Sequence, residues 1–122
     1  MIKSGFFAYG SKPEHCGEFI EEAIKKIHKS GHLVFIKSWK AMSVAGKFII
    51  SEILREIEKA DFLCADLTGL NENVLFEIGF AIGKNKPIWL IQDTSIIESF
   101  NRFKELNFFL QLAIPAIRIP MI

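Results

Sequence analysis

The feature that most constrains this chain is the regular alternation of short apolar runs with longer amphipathic ones. Gly5-Phe6-Phe7-Ala8-Tyr9-Gly10 is a short apolar run that ends on glycine, the pattern of a strand buried on both faces. From about Cys16 to Lys29, Phe19, Ile20, Ala23, Ile24 and Ile27 recur at helical spacing with charges between them, and Ser30-Gly31 closes that helix. His32 to Trp39 predicts a second strand, Lys47 to Ala60 a second helix, and Asp61 to Asp66 a third strand. Val74 to Gly83 reads as a third helix and Pro87 to Ile91 as a fourth strand. A helix from about Ser95 to Leu112 and a strand near Ala116 to Ile119 complete the pattern. Such alternation predicts an α/β fold: a flavodoxin-like, doubly wound, five-stranded parallel sheet with helices on both faces. Right-handed crossovers leave few topologies, and the order 2-1-3-4-5 is the expected one. Ligands of such sheets bind beyond the carboxyl ends of the strands where the winding reverses. That rule brings the loops Tyr9 to Gly17 and Asp66 to Asn73 together.

A length of 122 residues suits one domain spanning 1–122. The chain stops on Met121-Ile122, an ending that suits a complete chain and a domain of a longer protein alike. A net charge of +1 supplies no field that would draw the whole chain to nucleic acid or an acidic membrane. The densest basic run, Lys25 to Lys29, has the spacing of a solvated helix face. Direct nucleic-acid binding is therefore not expected. No apolar run approaches the ~20 residues of a membrane span. Met1-Ile2-Lys3-Ser4 leads straight into a strand without the pattern of a signal peptide, so a cytoplasmic location is the expectation.

The two cysteines, Cys16 and Cys64, have no C-x-x-C spacing, which argues against a disulfide framework or a zinc site. Cys64 reads as strand packing. Cys16 precedes a helix, where a thiolate is favoured, but no histidine is spaced to pair with it. His15, His28 and His32 lack metal-ligand spacing, and no metal is expected. There is no G-x-G-x-x-G after the first strand and no Walker lysine loop. Ser11 and Lys12, with the helix amides behind them, suit either a phosphate or an ordinary polar loop.

Asp66 to Ile91, DLTGLNENVLFEIGFAIGKNKPIWLI, carries the most chemistry. A strand ends at Asp66, and Asp66, Thr68, Asn71 and Asn73 are all good capping residues. The helix from Val74 to Gly83 is apolar all round except for Glu77, the mark of a buried helix. Glu77 then lies in its first turn at the carboxyl edge of the sheet. There the free amides and macrodipole would favour an ionised carboxylate. Such a group suits a nucleophile, or the stabiliser of a developing cation. The competing reading makes Glu77 a cap or ion-pair residue. Gly79 and Gly83 are expected to let the helix approach the sheet closely.

This stretch resembles the signature of the nucleoside 2-deoxyribosyltransferase-like group and of bacterial TIR-like domains. The residues concerned are a strand ending in Asp66, a Thr-, Gly- and Asn-rich loop, Glu77-Ile78-Gly79-Phe80-Ala81, and Lys86-Pro87 entering a strand. A weaker likeness runs back through Phe6-Phe7-Ala8-Tyr9, Trp39 and Ile57 to Asp61. The resemblance implies that Glu77 faces a sugar whose N-glycosidic bond breaks through a cationic state. It implies that a nucleotide, a nucleoside or NAD is the ligand or substrate, with no separate cofactor required. Tyr9 and Trp39 would stack on a base or pack the core rim. Gly10 and Ser11 would line the substrate site, and Asp66, Thr68, Asn71 and Asn73 would orient Glu77 or bind hydroxyls. The chain departs from the transferases in two places. Asn71 stands where they carry an acid six positions before the nucleophile, and the loop Lys40 to Lys47 holds no acid to protonate a leaving base. It also lacks the S-x-W-C run of TIR-type hydrolases. These gaps favour an NAD-cleaving or nucleotide-binding module, in defence or signalling, over a base-exchanging transferase. The alternatives are a non-catalytic nucleotide sensor and a protein-interaction module. Domains of this kind assemble, and a homo-oligomer contact through Phe100, Phe103, Phe108 and Phe109 is expected.

Overall fold

The computed structural model of the chain describes residues 2–42 and 49–96. Its order is β1 (Lys3–Ala8), α1 (Glu14–Lys29), β2 (Val34–Ser38), a short 3-10 turn (Trp39–Ala41), α2 (Ile49–Lys59), β3 (Phe62–Asp66), α3 (Glu72–Gly83) and β4 (Ile88–Ile91). The four strands form one parallel sheet in the order β2-β1-β3-β4. This is the doubly wound arrangement expected from the alternation. The expected helix from Ser95 and the fifth strand, with the four phenylalanines assigned to an oligomer contact, lie almost wholly outside the described residues.

Period-two alternation sorts the strand residues between two layers. Phe6 and Ala8 of β1, Leu63 and Ala65 of β3, and Ile88 and Leu90 of β4 point into one core, where Ile57 of α2 and Val74, Ile78 and Ala81 of α3 meet them. Tyr9 and Ile36 point to the other face and pack under Ile20 and Ile24 of α1. At the end of α1, His28 Nε2 accepts the backbone N–H of Ile36 at 3.0 Å, and its ring stacks on Phe35 at 4.9 Å. A strand donor with no partner strand among the described residues is thereby satisfied by a side chain.

The third helix differs from the sequence reading in a way that matters. It begins at Glu72, two residues earlier than expected, because the Asn71 side chain accepts the N–H groups of Asn73 (2.9 Å) and Val74 (3.2 Å). Nor is it buried all round. Phe76 is 58% exposed, and Gly79 and Gly83 face open space among the described residues rather than the sheet. Their lack of a side chain does not serve helix-to-sheet approach.

Candidate functional site

The carboxyl ends of β1 and β2, with the first halves of α2 and α3, enclose a cavity of about 410 Å³. This lies within the usual range for small-molecule sites. Tyr9, Gly10 and Ser11 form the β1 side, and Trp39 closes the end of β2. Ile50, Ile53 and Leu54 of α2 make an aliphatic wall opposite Asn71, Asn73, Phe76 and Glu77. Seven of the nine residues expected at a binding site thus line one cavity: Tyr9, Gly10, Ser11, Trp39, Asn71, Asn73 and Glu77.

The two loops meet as the winding rule requires. A Cβ on Gly10 would come within 2.9 Å of Asn71 Cβ, so the close approach of the β1 loop to the start of α3 depends on glycine. Leu70, just before that start, has a left-handed backbone (φ 46°) and is held there by burial of its side chain in the core.

Glu77 is the one carboxylate among the described residues lining the cavity. It is buried, at 9% exposure, and no hydrogen bond or ion pair to its side chain is found among the described residues. Burial alone pushes its carboxyl up to about 7. This corrects the expectation of a fully ionised group at a helix start. With α3 beginning at Glu72, Glu77 is its sixth residue, beyond the first turn whose free amides hold an anion. A carboxyl poised near neutrality in an apolar cavity can act as an acid, a base or, once ionised, a nucleophile.

Tyr9 and Trp39 form a coupled wall. Their rings lie 5.6 Å apart, and the Trp39 indole donates to the Tyr9 carbonyl at 3.1 Å. The Tyr9 hydroxyl donates to Glu21 of α1, whose carboxylate also accepts from Ser38 Oγ at 2.6 Å. Burial, followed by the Glu21 interaction, raises the Tyr9 phenol far above its ordinary range. Tyr9 therefore presents a ring rather than an acid to the cavity.

Asp66 and Thr68 are placed elsewhere. Asp66 Oδ1 accepts the Thr68 N–H at 3.0 Å, and Thr68 Oγ1 accepts the Asp93 N–H at 2.7 Å. Both side chains are buried, tying the end of β3 to the end of β4 and away from the cavity lining. Burial raises the Asp66 carboxyl, while the Ser95 hydroxyl, donating to it, holds that of Asp93 low. Against these carboxylates lie His15 and Cys16, with His15 Nε2 3.2 Å from Asp93 Oδ2 and 3.6 Å from Cys16 Sγ. The sequence showed no partner for Cys16 because the helix turn that brings His15 beside it, and the sheet that brings Asp93, are not spacing signals. The aliphatic wall was equally hidden. By spacing alone Ile53 and Leu54 are ordinary inward positions of an amphipathic helix, and only their place opposite Glu77 makes them part of a site.

No family sequence model and no curated protein sequence matches the chain. Solved structures do. The CMP N-glycosidase of Clostridium botulinum superposes with a TM-score of 0.65 at 18% identity, over 98% of this chain and 89% of its own. A 2-deoxyribosyltransferase of Bacillus psychrosaccharolyticus gives 0.60 at 16% identity, over 73% of this chain and 72% of its own. The TIR domains of the activated Roq1 resistosome give 0.58 at 14% identity, over 84% and 71%. The chain has the α/β fold that nucleoside 2-deoxyribosyltransferases share with TIR domains.

Proposed function

We propose that the chain breaks the N-glycosidic bond of a nucleotide or nucleoside, with Glu77 as the carboxylate that meets the cationic sugar. The observation that carries this reading is the single buried carboxylate, poised at about 7, in a cavity walled by aromatic and aliphatic side chains. The ionised form attacks the anomeric carbon, or stabilises positive charge there, as the bond to the base breaks. The base leaves with the bonding electron pair, and water then completes hydrolysis at the sugar. Asn73 and Ser11 supply polar groups for hydroxyls, and Trp39 and Phe76 supply faces for a base.

Leaving-group chemistry favours NAD within this class. A neutral base departs as an anion and needs a proton, but nicotinamide departs from its pyridinium already neutral. The loop Lys40 to Lys47 has no acid to donate that proton, and Glu77 is needed at the sugar. The same gap keeps a second reading in play, a module that binds the nucleotide without cleaving it. Incubating the protein with NAD, CMP and free nucleosides, followed by chromatography of the products, separates these. Release of nicotinamide supports the hydrolase. Tight binding with every substrate intact supports the sensor.

A further inference from the structure

Across the carboxyl edge of the sheet from the cavity lies a second cluster of chemically active groups. His15 and Cys16 are the second and third residues of α1, and Asp93 follows β4. The His15 Nε2, Cys16 Sγ and Asp93 carboxylate oxygen all lie within 4.8 Å of one another. Cys16 and Asp93 are buried at 1% and 4% exposure, while His15 opens to solvent.

This arrangement is poorly suited to a nucleophile relay. In a thiol–imidazole–carboxylate relay the two ring nitrogens contact different partners, but here the sulfur and the carboxylate both face the same nitrogen, Nε2. Three donor atoms converging on one point is what a cation requires. Tetrahedral coordination at ordinary zinc bond lengths sets neighbouring N and O about 3.3 Å apart and N and S about 3.6 Å apart. The observed separations are 3.2 Å and 3.6 Å. The third edge, from sulfur to carboxylate oxygen, lies within 4.8 Å. Two carboxylates, Asp66 and Asp93, are buried at this end of the sheet, and a bound cation would offset negative charge held there.

We propose that His15, Cys16 and Asp93 form a three-ligand site for a divalent transition cation of the zinc class, with the fourth position open to water. The mixed nitrogen, sulfur and oxygen donor set suits a borderline cation rather than magnesium or calcium. On binding, the thiol releases its proton to solvent and the sulfur–metal bond forms. Because Thr68 holds the Asp93 N–H, the ion would clip the start of α1 to the ends of β3 and β4.

The test uses the metal-free protein titrated with cobalt(II) and, in competition against a chromophoric chelator, with zinc(II). One equivalent of cobalt is expected to produce thiolate-to-metal charge-transfer absorption, with the Cys64→Ser variant unchanged. Cys16→Ser should abolish that band, and His15→Ala should weaken zinc binding by about ten-fold or more. His15 is largely exposed, so its replacement leaves the fold intact and keeps the test decisive if Cys16→Ser does not fold. A charge-transfer band that is absent, or that disappears with Cys64 instead, overturns the proposal. So does zinc affinity that is the same in His15→Ala as in the parent protein.

Discussion

At the scale of single residues, the raised pKa of Glu77 ties function to stability. Its carboxyl moves from 4.5 to about 7 on folding because burial disfavours the charged form. The native state therefore holds a proton that the unfolded chain has lost between these values. Stability falls as pH rises through that window and stays lower above it. The full penalty is on the order of 3 kcal/mol. Glu77→Gln should accordingly be more stable than the parent by up to that amount at about pH 8, with the gain shrinking to nothing by about pH 4. Thermal unfolding of both proteins at the two pH values measures it. A variant that is less stable at both would mean that the charge is held by a favourable contact. Gly10 gives a second residue-scale prediction. Gly10→Ala sets a methyl against Asn71, so it should lower the melting temperature and weaken nucleotide binding together, as seen by calorimetry. An unchanged melting temperature would show that the two loops can part freely.

At the scale of elements, the start of α3 and the tie between β3 and β4 carry the site. Asn71→Ala removes the acceptor for two amide groups and should destabilise by about 1 kcal/mol. Asn71→Asp keeps the cap and should retain most of that stability, which denaturant unfolding resolves. Thr68→Val keeps the shape but orphans the buried Asp93 N–H, and about 1–3 kcal/mol of destabilisation is expected from the same measurement. These elements also mark where sequence reading reached its end. The capping residues before α3 were visible, but several candidates stood in a row, and which one capped was not. Choosing Asn71 moved the helix start by two residues and took Glu77 out of the first turn. The resulting change in pKa direction could not be read from periodicity. Likewise, Asp66 and Thr68 looked like members of the cavity because they share a loop with Asn71. Asp66 instead accepts the Thr68 N–H and Thr68 accepts the N–H of Asp93 beyond β4, which turns both away.

At the scale of the whole molecule, the alternation of apolar and amphipathic runs was enough to order the four described strands, because parallel crossovers of one hand leave few choices. The topology then placed Tyr9, Trp39, Asn71 and Glu77 at one edge, and most of the cavity was legible for that reason. The aliphatic wall from α2 and the His15–Cys16–Asp93 cluster were not, since each depends on contacts between distant segments. The account rests on Glu77 acting on a sugar inside this cavity. The most direct test is turnover by the Glu77→Gln variant, measured beside the parent protein on whichever of NAD, CMP or nucleoside the parent cleaves. Loss of one preorganised charge should lower the rate by about 100-fold or more. Ligand binding should remain, since stacking and hydroxyl contacts are untouched. Equal turnover in the two proteins would remove Glu77 from the mechanism and contradict the account.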